Sequence, residues 1–309
     1  MRIVIASSVL VMSRLRRLVA TALGLSLLTA ACRQPQPSAV RPSVVAADGA
    51  LCDLTQRLAR ESVAVNCLLR PGDDPHQLQL TPEQSHALQQ ASTILINGYG
   101  LTPALEQLPQ AIRVAERAVP NVQDPHVWHD PRQSAAMAAL ISSILQELAP
   151  GAAAQIQRRQ RAIDEALLAL DRWNREQFAT IPAPRLLATS HRSLTSLSRA
   201  YGLKERALVD AHSSSDNIRP QDLRRALTLL QREPPARLFS DQQPPSRAMQ
   251  RISSLSGIPI APQPLRADTA MHNLIANLST NTCLISESLR GRCDRIGQRA
   301  LIQRWEAIR

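Results

Sequence analysis

Aromatic residues are scarce in this chain, which has three Trp, two Tyr and two Phe among 309 residues. The formal net charge is nevertheless +11, and most of the basic residues are arginines scattered over the faces of predicted helices. A nucleic-acid surface would cluster this charge and would offer rings on which bases stack. The composition therefore argues against a nucleic-acid partner and favours a solvated, arginine-rich exterior.

Long apolar runs are also lacking beyond residue 31, so we expect no membrane-spanning helix in the body of the chain. Three arginines at positions 14–17 precede an apolar run over residues 18–31, and small residues then lead to Cys32. This pattern predicts a signal peptide over residues 1–31. Translation could start at Met1 or at Met12. Residues 32–42 are rich in Pro, Gln and Ser, which indicates a tether.

Cysteine is limited to five residues, and four of them follow Cys32. An even number in an exported chain indicates disulfide bonds. Sequence alone allows three pairings, of which the local one closes two short loops. No pair has the close spacing of a structural zinc knuckle, which argues against a cysteine-rich zinc site. The four candidates are Cys52, Cys67, Cys283 and Cys293.

Short apolar runs alternate with amphipathic helical patterns along most of the chain, which predicts an α/β fold with parallel-type sheets. The alternation is interrupted by a helical run of unusual length at residues 152–179. We therefore predict two α/β lobes joined by one long rigid helix. The predicted division is an N-terminal lobe at 43–150, a connecting helix at 151–181 and a C-terminal lobe at 182–309.

Three histidines and one aspartate are predicted to follow the carboxyl ends of strands, where open α/β sheets bind their ligands. These residues are His76, His126, His191 and Asp268. They are far apart along the chain, and no local metal motif such as H-E-x-x-H is present. Such spacing predicts a site assembled in the cleft between the lobes. Three imidazoles and a carboxylate suit tetrahedral Zn²⁺ better than they suit Mn²⁺ or Mg²⁺.

The segment that contains His126 is unusually constrained, since an Asp-Pro pair stands on each side of it. Asp130 is predicted to cap a helix that begins at Pro131. His129, three residues after His126, has two interpretations. It is either a packed or exposed residue that does not bind metal, or a second ligand from an i, i+3 position.

Taken together, these motifs resemble the metal-binding lipoproteins of bacterial ABC importers for zinc and manganese. The two cysteine pairs are similar to those of the cyanobacterial branch. The histidine-rich loop of many zinc members is missing here between His76 and His126. The resemblance rests on the segments Pro71-Gly72-Asp73-Asp74-Pro75-His76, Asn97-Gly98, Asp124-Pro125-His126-Val127-Trp128, Thr189-Ser190-His191 and Arg219-Pro220-Gln221-Asp222-Leu223.

The resemblance implies a role for each site residue. His76 and His126 would be the ligands from the first lobe, and His191 the first ligand from the second lobe. Histidine at this third position is similar to the zinc members, because manganese members carry Glu there. Asp268 would be the fourth ligand, with Asp241 or a water as alternatives. Cys32 would be lipidated and would anchor the protein to the membrane.

The implied function is that of a non-catalytic, monomeric carrier outside the cytoplasmic membrane. It would capture Zn²⁺ and deliver it to a permease and its ATPase. The same fold binding Mn²⁺ or Fe²⁺ is the alternative. A zinc hydrolase would need a general base beside the metal-bound water, and no Glu is adjacent to a candidate ligand. An adhesin-type lipoprotein is a further alternative that no sequence feature favours.

Overall fold

The computed structural model describes residues 41–70, 73–210, 218–267 and 273–309. The predicted signal peptide, Cys32 and Asp268 lie outside these described residues. Within the described ranges, no helix has both the length and the apolar character that crossing a membrane requires.

A parallel sheet of four strands organises the first part of the fold. The strands are β1 (Ser43–Ala46), β2 (Ala64–Cys67), β3 (Thr93–Ile96) and β4 (Ala111–Arg113). Their order in the sheet is β2-β1-β3-β4, and all neighbours are parallel. Parallel neighbours require crossover connections, which are usually helical. The helices of this part are α1 (Gly49–Ala59), α2 (Pro82–Gln90), α3 (Pro103–Glu106), α4 (Val114–Ala118) and α5 (Pro131–Leu148).

Helix starts in this part follow the capping chemistry that the sequence predicts, with Thr81 as a cap, Gln84 at the capping-box position and Asp130 as the cap before Pro131. The Thr81 hydroxyl accepts the Gln84 backbone N–H, and the Gln84 side chain in turn accepts the Thr81 N–H. Asp130 caps α5, and Pro131 is its first residue. The sequence also predicts a short strand at residues 112–119; this prediction is wrong beyond Arg113, because α4 begins at Val114. Ala, Glu and Arg make up four of the five residues of α4, and these good helix formers oppose an extended backbone there.

The predicted long helix is α6, which spans Ala153–Ala179. Its apolar stripe is buried, with Ile156, Ile163, Leu167 and Leu170 all inaccessible to solvent. Polar and charged side chains cover the opposite face, as expected for an amphipathic helix packed on a core. The helix leads from the first sheet to the second.

The second sheet is also parallel. It contains β5 (Leu186–His191), β6 (Lys204–Asp210) and β7 (Leu238–Phe239) in the order β6-β5-β7. The sequence predicts a further strand at residues 258–261, but the structure has only a single bridge there, between Leu238 and Ile260. The predicted α/β class, with two parallel sheets and one long helix, is confirmed. The helices of this part are α7 (Thr195–Tyr201), α8 (Pro220–Arg232) and α9 (Arg247–Ser256).

The last two helices, α10 (Leu274–Ser288) and α11 (Arg295–Glu306), return to the first half of the chain. Leu278 and Trp305 lie in the same hydrophobic cluster as Leu51 of α1. The buried carboxylate of Asp53 accepts the backbone N–H of Leu274 and the indole N–H of Trp305, both at 2.8 Å. The lobe boundaries stay a prediction. This packing shows in addition that the end of the segment 182–309 contacts the hydrophobic cluster that contains Leu51.

Two disulfide bonds join the four cysteines in the local pairing. Cys52 of α1 is bonded to Cys67 at the end of β2, and Cys283 of α10 to Cys293 just before α11. The sequence separations are 15 and 10 residues. Loops of this length are expected to contribute about 3 kcal/mol each in the chain-entropy model.

Candidate metal centre

His76 lies in a short 3₁₀ turn, Pro75–Gln77, in the segment that follows β2. The Asp74 side chain shapes this turn by accepting the backbone N–H of His76 at 2.9 Å. It also accepts the Gln77 amide at 3.1 Å through its other oxygen. The carboxylate thus holds the backbone at His76 in one conformation, while the imidazole remains half-buried.

His126 is held in a similar way, immediately before the 3₁₀ turn Val127–His129. Asp124 Oδ1 accepts the His126 backbone N–H at 3.1 Å and also lies 2.6 Å from the ring Nδ1. The Asn97 amide donates to the Pro125 carbonyl at 2.8 Å. Only 1% of His126 is exposed, so its position is set by these hydrogen bonds and by packing.

His191 is the last residue of β5 and is fully buried. Its Nδ1 lies 2.9 Å from Asp241 Oδ2. The other Asp241 oxygen accepts the Ser190 hydroxyl at 2.7 Å. Both carboxylate oxygens are therefore engaged beside the strand end that carries His191.

The three imidazoles converge on one point. One ring nitrogen from each of His76, His126 and His191 lies within 4.8 Å of the other two. The ring centroids are 5.3 to 5.7 Å apart. The Nε2 atoms of His76 and His126 are separated by 3.3 Å. Two nitrogens bound at about 2.0–2.1 Å to one tetrahedral Zn²⁺ would be roughly 3.4 Å apart, so this spacing fits a shared metal.

The carboxylate partners also set which nitrogen faces the cluster. When Nδ1 donates its hydrogen to a carboxylate, the lone pair of the neutral ring is on Nε2. Such outer hydrogen bonds fix the tautomer of a metal-binding histidine and increase its basicity. His126 and His191 each have this arrangement, with Asp124 and Asp241 as the acceptors.

The ionisation of Asp124 is favourable for this role. Burial is the largest influence and raises its pKa, but hydrogen bonds from the ring and backbone of His126, together with the imidazole's charge, outweigh it. The net result is a pKa below the ordinary value for aspartate. Asp124 is therefore a carboxylate at neutral pH and accepts the Nδ1 hydrogen.

The other candidates from the sequence have different positions. Asp241, the alternative fourth ligand, contacts the far nitrogen of His191 and is not part of the described cluster of ligand atoms. His129 is fully buried and donates from Nε2 to the Ala267 carbonyl at 3.2 Å. It also lies outside the cluster, so the structure places it as a packed residue. Asp268 directly follows Ala267 and is outside the described residues.

A half-buried glutamate organises the turn that follows His191. Glu205 Oε1 accepts the backbone N–H groups of Ser193 and Leu194 at 3.1 and 2.9 Å, and Oε2 accepts the Thr195 hydroxyl at 2.8 Å. Burial raises the pKa of Glu205. The Thr195 backbone N–H then donates to Asp124 Oδ2 at 3.2 Å. This last bond joins the turn after His191 to the carboxylate that orients His126.

The sequence does not predict these carboxylate partners. The sequence does contain one signal for Asp124, because Asp74-Pro75-His76 and Asp124-Pro125-His126 are the same tripeptide. In each copy the aspartate accepts the histidine backbone N–H. No comparable signal exists for Asp241, which lies 50 residues beyond His191. Its contact depends on the packing of β5 against β7.

Comparison with known proteins gives a consistent result. The family model of ZnuA, described as zinc-uptake complex component A, periplasmic, matches residues 44–288. The zinc-binding protein TroA of Treponema pallidum is 26% identical over 228 residues, which are 69% of this chain and 74% of that protein. The iron-binding protein YfeA of Yersinia pestis is 27% identical over 247 residues, 74% and 79% of the two chains.

A third relative is named for manganese. It is the manganese ABC transporter substrate-binding lipoprotein ScaA of Streptococcus gordonii, 22% identical over 246 residues, 72% of this chain and 79% of that protein. The solved structure of TroA superposes with a TM-score of 0.73 at 22% identity and covers 81% of this chain and 99% of that one. The two-lobed fold is therefore shared.

The match covers most of the chain and includes all three clustered histidines. Its homologues are substrate-binding proteins of ABC transporters and not enzymes. This chain belongs to the family of the periplasmic zinc-uptake component A, the metal-binding proteins of ABC importers.

Proposed function

We propose that this protein captures Zn²⁺ outside the cytoplasmic membrane and delivers it to a permease and its ATPase. The observation that carries the proposal is the cluster of three imidazoles, His76, His126 and His191. Nitrogen-rich sites favour Zn²⁺, whereas Mn²⁺ prefers carboxylate and carbonyl oxygens. The relatives are named for zinc, iron and manganese, so the choice of zinc rests on this donor set.

The fourth position in the proposed site belongs to Asp268, as the family resemblance implies. His129 supports this, because its hydrogen bond holds Ala267, the residue immediately before Asp268. Four ligands drawn from both lobes would enclose the ion in tetrahedral geometry. The lipid anchor at Cys32 would keep the carrier at the membrane, close to its permease.

Manganese or ferrous iron in the same site is the second candidate. Both metals bind nitrogen and oxygen donors, and their affinity for a given site lies below that of zinc in the divalent series. The three imidazoles therefore predict that Zn²⁺ displaces either metal.

Isothermal titration of metal-stripped protein tests the proposal. We expect one Zn²⁺ per chain, and we expect the double variant His76→Ala/His191→Ala to lose tight binding. His86→Ala removes an exposed histidine outside the cluster and is the matched control, which should bind as the wild type does. Tight binding that survives the double variant, or a preference for Mn²⁺ in competition, would refute the assignment.

A further inference from the structure

The cluster opens, beside His76 and His126, into a cavity that is far larger than a metal ion. The cavity has a volume of about 460 Å³. This is within the range of clefts that bind small organic molecules, roughly 300–1,000 Å³. Its walls include His76 and His126 together with Tyr99, Arg192, Ser196 and Arg199. A bare cation explains the histidines but not the size of this space.

Among the described residues of the cavity walls, positive charge predominates. Arg192 and Arg199 both line the cavity and are exposed to it, and neither forms an ion pair among the described residues. Among the described residues of the lining, the acidic one is Asp124, whose two oxygens already accept hydrogen bonds from His126 and from the Thr195 backbone. Two guanidinium groups therefore line the cavity, and no other carboxylate of the described lining is available to pair with them.

A bound metal would increase this positive charge further. Neutral imidazoles bring no negative charge to a divalent ion, and they leave a fourth coordination position. Guanidinium groups bind carboxylates through paired N–H donors. A molecule with several separated carboxylates can reach both the metal and an arginine, whereas a compact anion such as phosphate fills little of this volume.

We propose that the cavity binds a small polycarboxylate together with the metal, so that the protein accepts zinc as a carboxylate chelate as well as the free ion. Arg192 and Arg199 hold the outer carboxylates, and an inner carboxylate contacts the metal. This inference rests on the proposed function, since it needs zinc at the three histidines.

Equilibrium dialysis with isotopically labelled zinc and citrate tests the inference on the full protein. Zinc is loaded and quantified first, so a chain that binds no zinc would overturn the proposed function and this inference together. With zinc bound, we expect about one citrate per chain to be retained while the zinc stays on the protein. Retention of zinc without any citrate would overturn the inference alone, as would removal of the zinc by citrate.

Variants test whether citrate retention depends on the two cavity arginines or on the positive charge of the protein in general. Arg192→Ala/Arg199→Ala should weaken citrate retention by at least about tenfold while zinc binding stays unchanged. Arg158→Ala/Arg172→Ala removes two exposed arginines of α6 that are not in the cavity lining and should retain citrate as the wild type does. Equal loss in both double variants would overturn the role of the two cavity arginines. Phosphate retained as strongly as citrate would overturn the polycarboxylate class.

Discussion

The two Asp-Pro-His tripeptides share one residue pattern but differ in how firmly the aspartate holds the histidine. In both, the aspartate accepts the backbone N–H of the histidine. Asp74 uses its second oxygen for Gln77, whereas Asp124 also binds the ring of His126. The difference follows burial, because His126 is 1% exposed and its ring must find a partner inside the protein. His126 is therefore the more rigidly oriented of the two.

Removing the charge of an orienting carboxylate should weaken metal binding without unfolding the protein. We expect Asp124→Asn to lower zinc affinity roughly 10- to 100-fold, which is typical for the outer partner of a metal-binding histidine. The amide keeps the shape of the side chain but makes the His126 ring less basic. Calorimetric titration with Zn²⁺ measures the effect. Glu176→Gln, an exposed charge removal on α6, should leave the affinity unchanged, and unchanged affinity in Asp124→Asn would contradict the role.

The three clustered histidines could be predicted from the sequence, but their hydrogen-bond partners could not. His76 lies in the segment after β2, His191 ends β5, and His126 stands in an Asp-Pro-His motif; the structure brings the three together. The Asp241 contact depends on where β7 lies beside β5, and β7 has only two residues. His129 is a similar case, because its acceptor is the Ala267 carbonyl, 138 residues away. Neither contact can be predicted from local sequence, because each joins residues that are far apart along the chain.

At the level of elements, α6 was predictable because its hydrophobic period extends over seven turns. The capping chemistry of α2 and α5 was equally local and is confirmed. The errors are at short strands, at residues 112–119 and 258–261. There the choice between strand, helix and a single bridge depends on neighbouring strands more than on residue preference.

One residue of α6 should make folding stability depend on pH. Burial raises the pKa of Asp164 from 3.8 to about 6, and its Oδ2 accepts the Gln160 amide at 2.6 Å. The folded chain therefore binds this proton more tightly than the unfolded chain does. The resulting stabilisation is fully present below pH 3.8 and is lost as the pH rises through about 6.

Urea unfolding of the wild type and of Asp164→Asn tests this at two pH values. The free energy of unfolding of the wild type, relative to the variant, should be lower at pH 7 than at pH 4. Taking the difference between the two proteins removes the titration of all other groups. A difference that is the same at both pH values would show that Asp164 titrates normally in the folded chain.

For the whole molecule, several contacts cross between the two sheets. The buried Asp171 of α6 binds Arg132 of α5 at 2.9 Å and the Tyr201 hydroxyl of α7 at 3.1 Å. The Thr195 backbone N–H donates to Asp124, and α10 and α11 pack on the first core. These contacts, together with the continuous α6, favour a rigid carrier whose lobes move little on binding.

Small-angle X-ray scattering of metal-stripped and zinc-loaded protein measures that rigidity. We expect the same radius of gyration in both states within the precision of the experiment, because contacts between the two sheets, such as the bond from the Thr195 N–H to Asp124, need not break when an ion enters the cluster. A clear decrease on adding zinc would indicate closure of the lobes and would contradict the rigid account.

X-ray absorption spectroscopy at the zinc edge tests the central claim most directly, because it reports the atoms bound to the metal. We predict a first shell that contains three imidazole nitrogens at about 2.0–2.1 Å and no sulfur, with one imidazole lost in His191→Ala. A shell dominated by oxygen or by cysteine sulfur, or one that is unchanged in His191→Ala, would contradict the three-histidine site.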